Sequence, residues 1–212
     1  MADPWNDDPP GSEAIVSANI AALWPSIAAD ASRRTRPTAT LAQGWHRAIY
    51  RGVSLPVSYY AGEFRDSDTR FPDLYGYEVA VGGRLGVLSA NVPAELNRFE
   101  QRVQDVCRRL DAAVPLGERP KSEAELRAII ALSANVHGEW VRIHPFANGN
   151  GRTARIWANW IAVRYGLPPF VRIKPRPEGA TYEVAATASM RGDHSLAALV
   201  FRDFLDATLG PR

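Results

Sequence analysis

The sequence predicts a mostly α-helical bundle that carries one β-hairpin. Apolar residues recur every three or four positions through most of the chain, as in helices that bury one face. One pair of strand-like segments, 78–81 and 84–88, flanks Gly82-Gly83, a two-residue turn that favours a hairpin. With 212 residues, 46% of them hydrophobic, the chain is long enough for one sizeable core. We expect a flexible leader over residues 1–11 and a single domain over residues 12–212.

Two helices and a loop are predicted before the hairpin. Ser12 caps the first helix, whose apolar face consists of Ile15, Ile20, Leu23 and Ile27. The second helix starts after Thr38 or Thr40 and stops at Gly52. Residues 53–73 follow no period, which indicates a long ordered loop.

The helical period returns after the hairpin. A third helix runs from Pro93 to a loop over residues 115–120, and Ser122 with Glu125 forms the capping box of a fourth. The fourth helix ends near Ile143, because the next residue precedes a proline and is pushed out of the α region.

Three further helices are predicted after a connecting loop. The fifth begins around Gly151 or Arg152 and stops at Gly166. A last pair over residues 181–189 and 195–209 packs through Val184, Leu196, Leu199, Val200, Phe204 and Leu205.

Composition excludes several classes of function. The net charge is +2, from 25 basic and 23 acidic residues, which favours neither nucleic acid nor an anionic membrane as partner. Cys107 is the single cysteine, so we expect a buried structural thiol and no intrachain disulfide. The acidic, proline-rich N-terminus does not resemble a secretory signal, and no stretch reaches about 18 uninterrupted apolar residues. These observations predict a cytoplasmic protein.

The segment from His144 to Arg155 carries the chemistry. Gly149, Asn150 and Gly151 stand at the entrance of a helix, where main-chain N–H groups and the helix dipole favour an anion. Arg152 and Arg155 are three residues apart on the first helical turn, so both can bind phosphate groups. The pattern predicts a polyphosphate site.

His144 lies just outside this phosphate site. An imidazole accepts a proton from an attacking hydroxyl near neutral pH, so we expect His144 to be a general base. Phe146 is expected to point inward and pin the loop. The same glycines match the dinucleotide pattern G-x-G-x-x-G/A, but no βαβ unit surrounds them.

The loop resembles the signature of the Fic family, H-x-F-x-D/E-G-N-G-R-x-x-R, with one departure at Asn148. The resemblance implies a Fic-type bundle whose members mostly transfer AMP from ATP to protein hydroxyls. It implies that Gly149 to Gly151 form the anion hole, that Asn150 touches the α-phosphate, and that Arg152 and Arg155 hold the β and γ phosphates. It also places Tyr182 near the nucleotide base, where stacking and simple packing stay open.

The hairpin resembles the family's flap, the element that clamps the target chain as an added strand. The resemblance therefore implies a target-docking role for Val79, Ala80, Val81, Gly82, Gly83, Arg84 and Leu85. The preceding segment, Gly62 to Arg65, is part of this similarity. We find no segment like the family's inhibitory helix pattern, S/T-x-x-x-E-G/N. We therefore predict that Arg155 is not restrained by this chain and that any control comes from a separate partner or from the missing acid at Asn148.

The departure at Asn148 leaves three alternatives open. The family usually has a carboxylate there that holds Mg²⁺, whereas an amide oxygen ligates a hard cation without bringing charge. The Mg²⁺ (or Mn²⁺) ion is then held mainly by the nucleotide's phosphates, or another phosphate-linked group is transferred, or the protein binds nucleotide without turnover. Among the remaining histidines, His137 is interpreted as a helix-packing residue, and surface or capping roles are expected for His46 and His194.

Overall fold

The computed structural model describes Trp5 and residues 9–66, 68–81 and 83–210, and the predicted fold class is confirmed. The helices are α1 (Ser12–Ser32), α2 (Ala39–Ile49), α3 (Val92–Ala113), α4 (Glu123–Ile143), α5 (Asn150–Arg164), α6 (Ala180–Ser189) and α7 (Ser195–Leu209). The strands are β1 (Ala80–Val81) and β2 (Arg84–Leu85), and 3₁₀ turns occur at Ser58–Tyr60 and Ser89–Asn91.

Helices α4 and α5 form the centre of the bundle. They carry Trp140, Trp157 and Trp160, which are fully buried and stack edge-on or tilted against one another. The larger hydrophobic core joins these helices to α1, α2 and α3, and a smaller one joins them to α6 and α7. The loop that connects α4 to α5 contributes Phe146 and Ala147 to the larger core.

The cap of α4 follows the sequence prediction. The Ser122 hydroxyl accepts the Glu125 N–H at 3.2 Å, and the Glu125 carboxylate accepts the Ser122 N–H at 3.1 Å, so the capping box is complete. Cys107 is buried on α3 as expected, and burial raises the pKa of its thiol.

The start of α1 differs from the prediction. Gly11, at φ +84°, is the N-cap, and the buried Ser12 hydroxyl lies inside the first turn. Ile15 is exposed, whereas Val16, Ile27 and Ala31 are buried. Apolar residues occur on every side of this helix, so their periodicity in the sequence could not identify the face that packs. By length and composition α1 could also span a membrane, although it packs on α2 and α5 here.

The hairpin has shorter strands than predicted. Ala80 pairs with Leu85 and Val81 with Arg84, so the loop is the predicted two-residue turn. Gly82 lies outside the described residues, and Gly83 has φ +76°. Beyond the strands, the Gly86 N–H donates to the Val79 carbonyl at 3.0 Å.

The last two helices form where they were predicted, but the prediction that Val184 and Leu199 pack between them is wrong. Val184 and Leu199 are exposed, while Val200 and Leu205 are buried. The division into a leader and a single domain over residues 12–212 stays a prediction. Within the leader, Trp5 is buried between aromatic rings.

Candidate active site

The loop between α4 and α5 begins at His144. This residue is the C-cap of α4 and has left-handed backbone angles, φ 53° and ψ 55°, which few non-glycine residues adopt. The Nδ1 atom of His144 lies 3.0 Å from the Val141 carbonyl, so Nδ1 carries the hydrogen and donates it. In the neutral ring Nε2 is then the nitrogen without a hydrogen, and it is the atom that can accept a proton.

Arg65 fixes the main chain around His144. Its guanidinium is fully buried and donates to the carbonyls of His144 (2.8 Å), Ile143 (3.1 Å), Tyr77 (2.7 Å) and Val87 (3.0 Å). Burial lowers the pKa of Arg65 to about 10, so the group stays protonated at neutral pH. One side chain thus ties the end of α4 to both ends of the segment that contains the hairpin.

Phe146 anchors the loop in the core, as expected. Its ring is fully buried and stacks on His46 at 3.8 Å between centroids. The His46 Nδ1 atom accepts the Gly62 N–H at 3.0 Å, so Nε2 donates to the Asn148 carbonyl at 2.9 Å. Burial lowers the pKa of His46 to about 3, which keeps the ring neutral.

Asn150 closes the loop onto Phe146. Its Oδ1 atom accepts the Phe146 N–H and its Nδ2 atom donates to the Phe146 carbonyl, both at 2.9 Å. The side chain of Asn150 therefore shapes the loop. Asn150, Gly151 and Arg152 form the first turn of α5, and the helix N-terminus with its positive dipole end is suitable for an anion.

Two glycines allow the close approaches that this loop needs. Gly149 has φ +75°, and a Cβ atom there would lie 2.7 Å from His46 Nε2 and against the Tyr50 hydroxyl. A Cβ atom on Gly151 would lie 3.2 Å from the Arg155 guanidinium. Larger residues would displace the groups that form the loop wall.

Both arginines of the loop are held in place by neutral acceptors. Arg152 donates to the Tyr50 hydroxyl at 2.7 Å, and Arg155 donates through Nε to the Ile173 carbonyl at 2.9 Å. Arg155 is buried, and this burial lowers its pKa. Tyr182 is buried beside Arg155, and its hydroxyl is hydrogen-bonded to His137 Nε2 at 3.0 Å.

These residues surround a cavity of about 810 Å³. Most of the predicted site residues line it: His144, Asn148, Gly149, Asn150, Gly151, Arg152, Arg155 and Tyr182, with Ala80 and Arg84 of the hairpin. Phe146, Val79 and Leu85 do not line it. The hairpin still approaches His144, since a Cβ atom on Gly86 would lie 3.1 Å from the His144 Cβ atom.

The residues around Asn148 do not fit a metal held by the protein. The Asn148 Oδ1 atom accepts the Gly149 N–H at 2.7 Å, and Nδ2 donates to the Trp5 carbonyl at 2.9 Å. Among the described residues, no three His, Cys, Asp or Glu side chains cluster as a metal site. Asn148 therefore brings no negative charge to the cavity, and its amide oxygen is already bonded to the Gly149 N–H.

Several residues of the site were missed by the sequence analysis. The surface or capping role predicted for His46 is wrong, because its ring is fully buried beneath the loop and stacks on Phe146. Arg65 donates to the His144 carbonyl at the start of the loop, and the Tyr50 hydroxyl accepts from Arg152. Trp5 and Lys174 reach the loop and the cavity from distant parts of the chain. Only the segment that contains Arg65 carried a signal, through its similarity to the family.

Comparisons with known proteins identify the family of the chain. The sequence model of the Fic/DOC family matches residues 37–162. The chain is 43% identical over 126 residues, 59% of its length, to the protein adenylyltransferase Fic of Culex quinquefasciatus, of which the match covers 19%. It is 48% identical over 40 residues, 19% of its length, to a uridine 5'-monophosphate transferase of Xanthomonas campestris pv. campestris (strain 8004), of which the match covers 8%.

The fold has a solved counterpart in the N-terminal FIC domain of the Bep8 protein from Bartonella sp. 1-1C. The TM-score is 0.65 at 15% identity, over 93% of this chain and 84% of that one. The chain spans less than a fifth of the length of the curated relatives that it matches.

Proposed function

The chain belongs to the Fic/DOC family, and on that premise we propose that it transfers AMP from ATP to a Ser, Thr or Tyr hydroxyl of a target protein. Relatives named protein adenylyltransferases support a nucleotidyltransferase at the level of the family. The observation that carries the proposal is the position of His144 at the edge of a cavity lined by the N-terminus of α5 and two arginines.

In the proposed reaction, His144 Nε2 accepts the proton of the target hydroxyl. The hydroxyl oxygen attacks the α-phosphorus of ATP, the bond from that phosphorus to the β-bridging oxygen breaks, and pyrophosphate leaves. The Val141 carbonyl holds the opposite nitrogen as N–H, so the ring is oriented before the target binds. A positioned base of this kind contributes a factor of about 10² to 10⁴ to the rate.

The phosphates of ATP are proposed to lie at the start of α5. In this proposal the helix N-terminus at Asn150 and Gly151 binds the α-phosphate, and the Arg152 and Arg155 guanidiniums, which line the cavity, bind the β and γ phosphates. Tyr182 lies on the cavity wall with its hydroxyl bonded to His137, which favours packing along the base or ribose.

The target chain is proposed to add a strand to the hairpin. Ala80 and Leu85 are opposite each other, next to the hydrogen-bonded pair of Val79 and Gly86, so their own N–H and C=O groups point outward. Ala80 lines the cavity, and a strand paired along it would bring a hydroxyl toward His144.

Mg²⁺ (or Mn²⁺) enters this proposal only as an ion bound to the phosphates of ATP, because the side chain of Asn148 is hydrogen-bonded within the protein. No step of the proposed reaction depends on an ion held by the chain.

A second candidate is transfer of UMP, which the Xanthomonas relative favours. The described contacts around Tyr182 impose no donor or acceptor pattern that would select adenine. Transfer of another phosphate-linked group, or nucleotide binding without turnover, remains as an outcome of the same experiment.

The experiment supplies ATP or UTP labelled at the α or the γ phosphate to the protein, alone and with cell lysate. The proposal predicts α-label on a protein target, lost in His144→Ala and retained in the control Lys121→Gln, an exposed substitution far from the cavity. Transfer of γ-label would indicate a kinase-like reaction, and α-label from UTP in preference to ATP would select the second candidate. Undiminished transfer by His144→Ala would refute the mechanism.

We also propose that no carboxylate of this chain inhibits Arg155 and that inhibition, if it occurs in cells, comes from a separate protein. The acid of α1 that lines the cavity is Glu13. Because the Glu13 carboxylate lies 3.9 Å from the Lys174 ammonium, Glu13→Gln is expected to raise α-label transfer by no more than about threefold, whereas a rise of about tenfold or more would contradict the proposal. A cytoplasmic location is likewise proposed, and fractionation of cells that make the protein tests it against membrane attachment through α1.

A further inference from the structure

We infer that Lys174 is a third phosphate-binding cation beside Arg152 and Arg155. Together these side chains supply the positive charge that a divalent ion would supply if position 148 carried a metal-binding carboxylate. This inference rests on the proposed function, because it concerns how the same cavity binds a nucleoside triphosphate. Its consequence is that ATP binding depends more on Lys174 than on a divalent ion.

First, two hydrogen bonds fix the orientation of the Asn148 amide. The Gly149 N–H needs an acceptor and the Trp5 carbonyl needs a donor, and an amide supplies both in one orientation. A carboxylate at this position could accept from Gly149 but could not donate to Trp5. The local hydrogen bonds therefore match an amide, which recruits no cation by charge.

The second step is the location of Lys174. It follows Ile173, whose carbonyl holds the Arg155 Nε atom at 2.9 Å, and it lines the same cavity as Arg152 and Arg155. Its side chain is only 9% exposed, which is unusual for a lysine. Its ammonium lies 3.9 Å from the carboxylate of Glu13, whose own side chain is 78% exposed.

The third step is the charge around the cavity. Among the described residues, five cationic side chains line it, Arg84, Arg152, Arg155, Lys174 and Arg176, against two acidic ones, Glu13 and Glu183. Arg176 is paired with Glu183 at 2.8 Å. Lys174 lies 3.9 Å from Glu13. The cations still outnumber the acids, and they come from α5, the hairpin and the segment before α6, which suits a ligand that carries several negative charges.

The chemistry of lysine fits this role. Arg152 and Arg155 are each oriented by a fixed hydrogen bond, to Tyr50 and to Ile173, and offer planar donors in set directions. Lys174 ends in a compact ammonium on a flexible stem, which can follow a terminal phosphate as a point charge. The three groups together would neutralise a triphosphate without a protein-held metal.

The test measures ATP binding by calorimetry, with Mg²⁺ and with EDTA, for the wild type, Lys174→Gln, Lys174→Arg and Lys121→Gln. Lys121 is the other lysine of the chain and is 74% exposed, so it controls for loss of one charge. We expect the wild type to bind within about threefold of the same Kd in both buffers, Lys174→Gln to bind about tenfold more weakly in EDTA, and Lys174→Arg and Lys121→Gln to resemble the wild type.

A second arm uses Asn148→Asp, which places a carboxylate beside the phosphates. Its ATP affinity should fall in EDTA and recover with Mg²⁺, in contrast to the wild type. Thermal melts of all variants establish that each is folded.

The inference is overturned if Lys174→Gln binds ATP in EDTA as tightly as the wild type, or if the wild type loses more than about tenfold in EDTA. Either result with α-label transfer intact leaves the proposed function standing. If ATP binding depends on Lys174 but no α-label is transferred, the inference about Lys174 stands and the proposed function fails. A wild type that binds no ATP in either buffer overturns both.

Discussion

The loop from His144 to Arg155 and the hairpin next to it are built in opposite ways. Phe146, Asn150, Arg152 and Arg155 are buried, and each has a hydrogen bond or ring contact that fixes it. The hairpin has two residues in each strand, and Arg84 and Leu85 are exposed. Groups that stabilise a transition state must be oriented beforehand, whereas a docking strand needs unpaired main-chain groups. The contrast is the one that the proposed function needs, a fixed chemical site in the loop and an open docking edge in the hairpin.

The largest effect should come from removing the anchor of the loop. Phe146→Ala deletes a fully buried ring that stacks on His46, and we expect a loss of about 3–5 kcal/mol of unfolding free energy. Leu85→Ala, on the exposed hairpin, should change stability by less than about 0.5 kcal/mol. Urea denaturation measures both, and equal losses would remove the distinction between the two regions.

Arg65 donates hydrogen bonds to the start of the loop, at His144, and to the hairpin segment, at Val87. Its removal should therefore loosen both regions at once. Arg65→Met leaves four buried or partly buried carbonyls without their donor, at a cost on the order of 3 kcal/mol. Hydrogen exchange should accelerate at residues 140–146 and at residues 77–88 together. Arg84→Met is the matched control on the hairpin. Faster exchange at only one of the two segments would show that Arg65 does not couple them.

Acid should loosen the loop before it affects the hairpin. The folded-state pKa of His46 is lowered by burial to about 3, while the unfolded chain binds the proton near 6.5, so stability falls as pH drops from 6.5 toward 3. The slope reaches about 1.4 kcal/mol per pH unit for each such histidine, or about 2 kcal/mol between pH 6.5 and 5. His137 has the same direction of shift for the same reason.

His46→Gln keeps a donor for the Asn148 carbonyl and removes the titrating ring. The stability of this variant should depend on pH with a smaller slope than that of the wild type. A slope unchanged from the wild type would mean that His46 is not the neutral, buried group described here.

The smallest effect is expected at the docking edge. Ala80→Pro removes an outward N–H on the cavity side of the hairpin, and Leu85→Pro removes the corresponding N–H on the other strand. We expect Ala80→Pro to lower kcat/KM for the target about tenfold with ATP affinity unchanged, and Leu85→Pro to have less effect. Equal losses in both variants would contradict docking along the strand of Ala80.

The sequence predicted those parts of the fold that depend on neighbours along the chain. The capping box at Ser122, the stop before Pro145 and the two-residue turn between β1 and β2 are local signals, and each formed as predicted. The face of α1 could not be predicted, because Ile15 and Val16 are equally apolar and only packing against α5 distinguishes them.

The site divides in the same way. The order of residues from His144 to Arg155 predicted a phosphate-binding loop, and all of its proposed ligand-binding members line one cavity. The supports of this loop lie far away in sequence: His46 is about a hundred residues before the carbonyl that it bonds, and Trp5 is further still. No local pattern marks such partners, because their roles arise only when α2 and the N-terminal segment pack against the loop.

The most direct test of the central claim is a crystal structure of the protein with a non-hydrolysable ATP analogue. The account predicts the triphosphate at the N-terminus of α5, within hydrogen-bonding distance of the Gly151 N–H and of the Arg152 and Arg155 guanidiniums, with His144 Nε2 facing the α-phosphorus. A nucleotide bound elsewhere, such as in the separate cavity lined by Arg47 and Tyr59, or with its phosphates turned away from His144, would contradict this prediction.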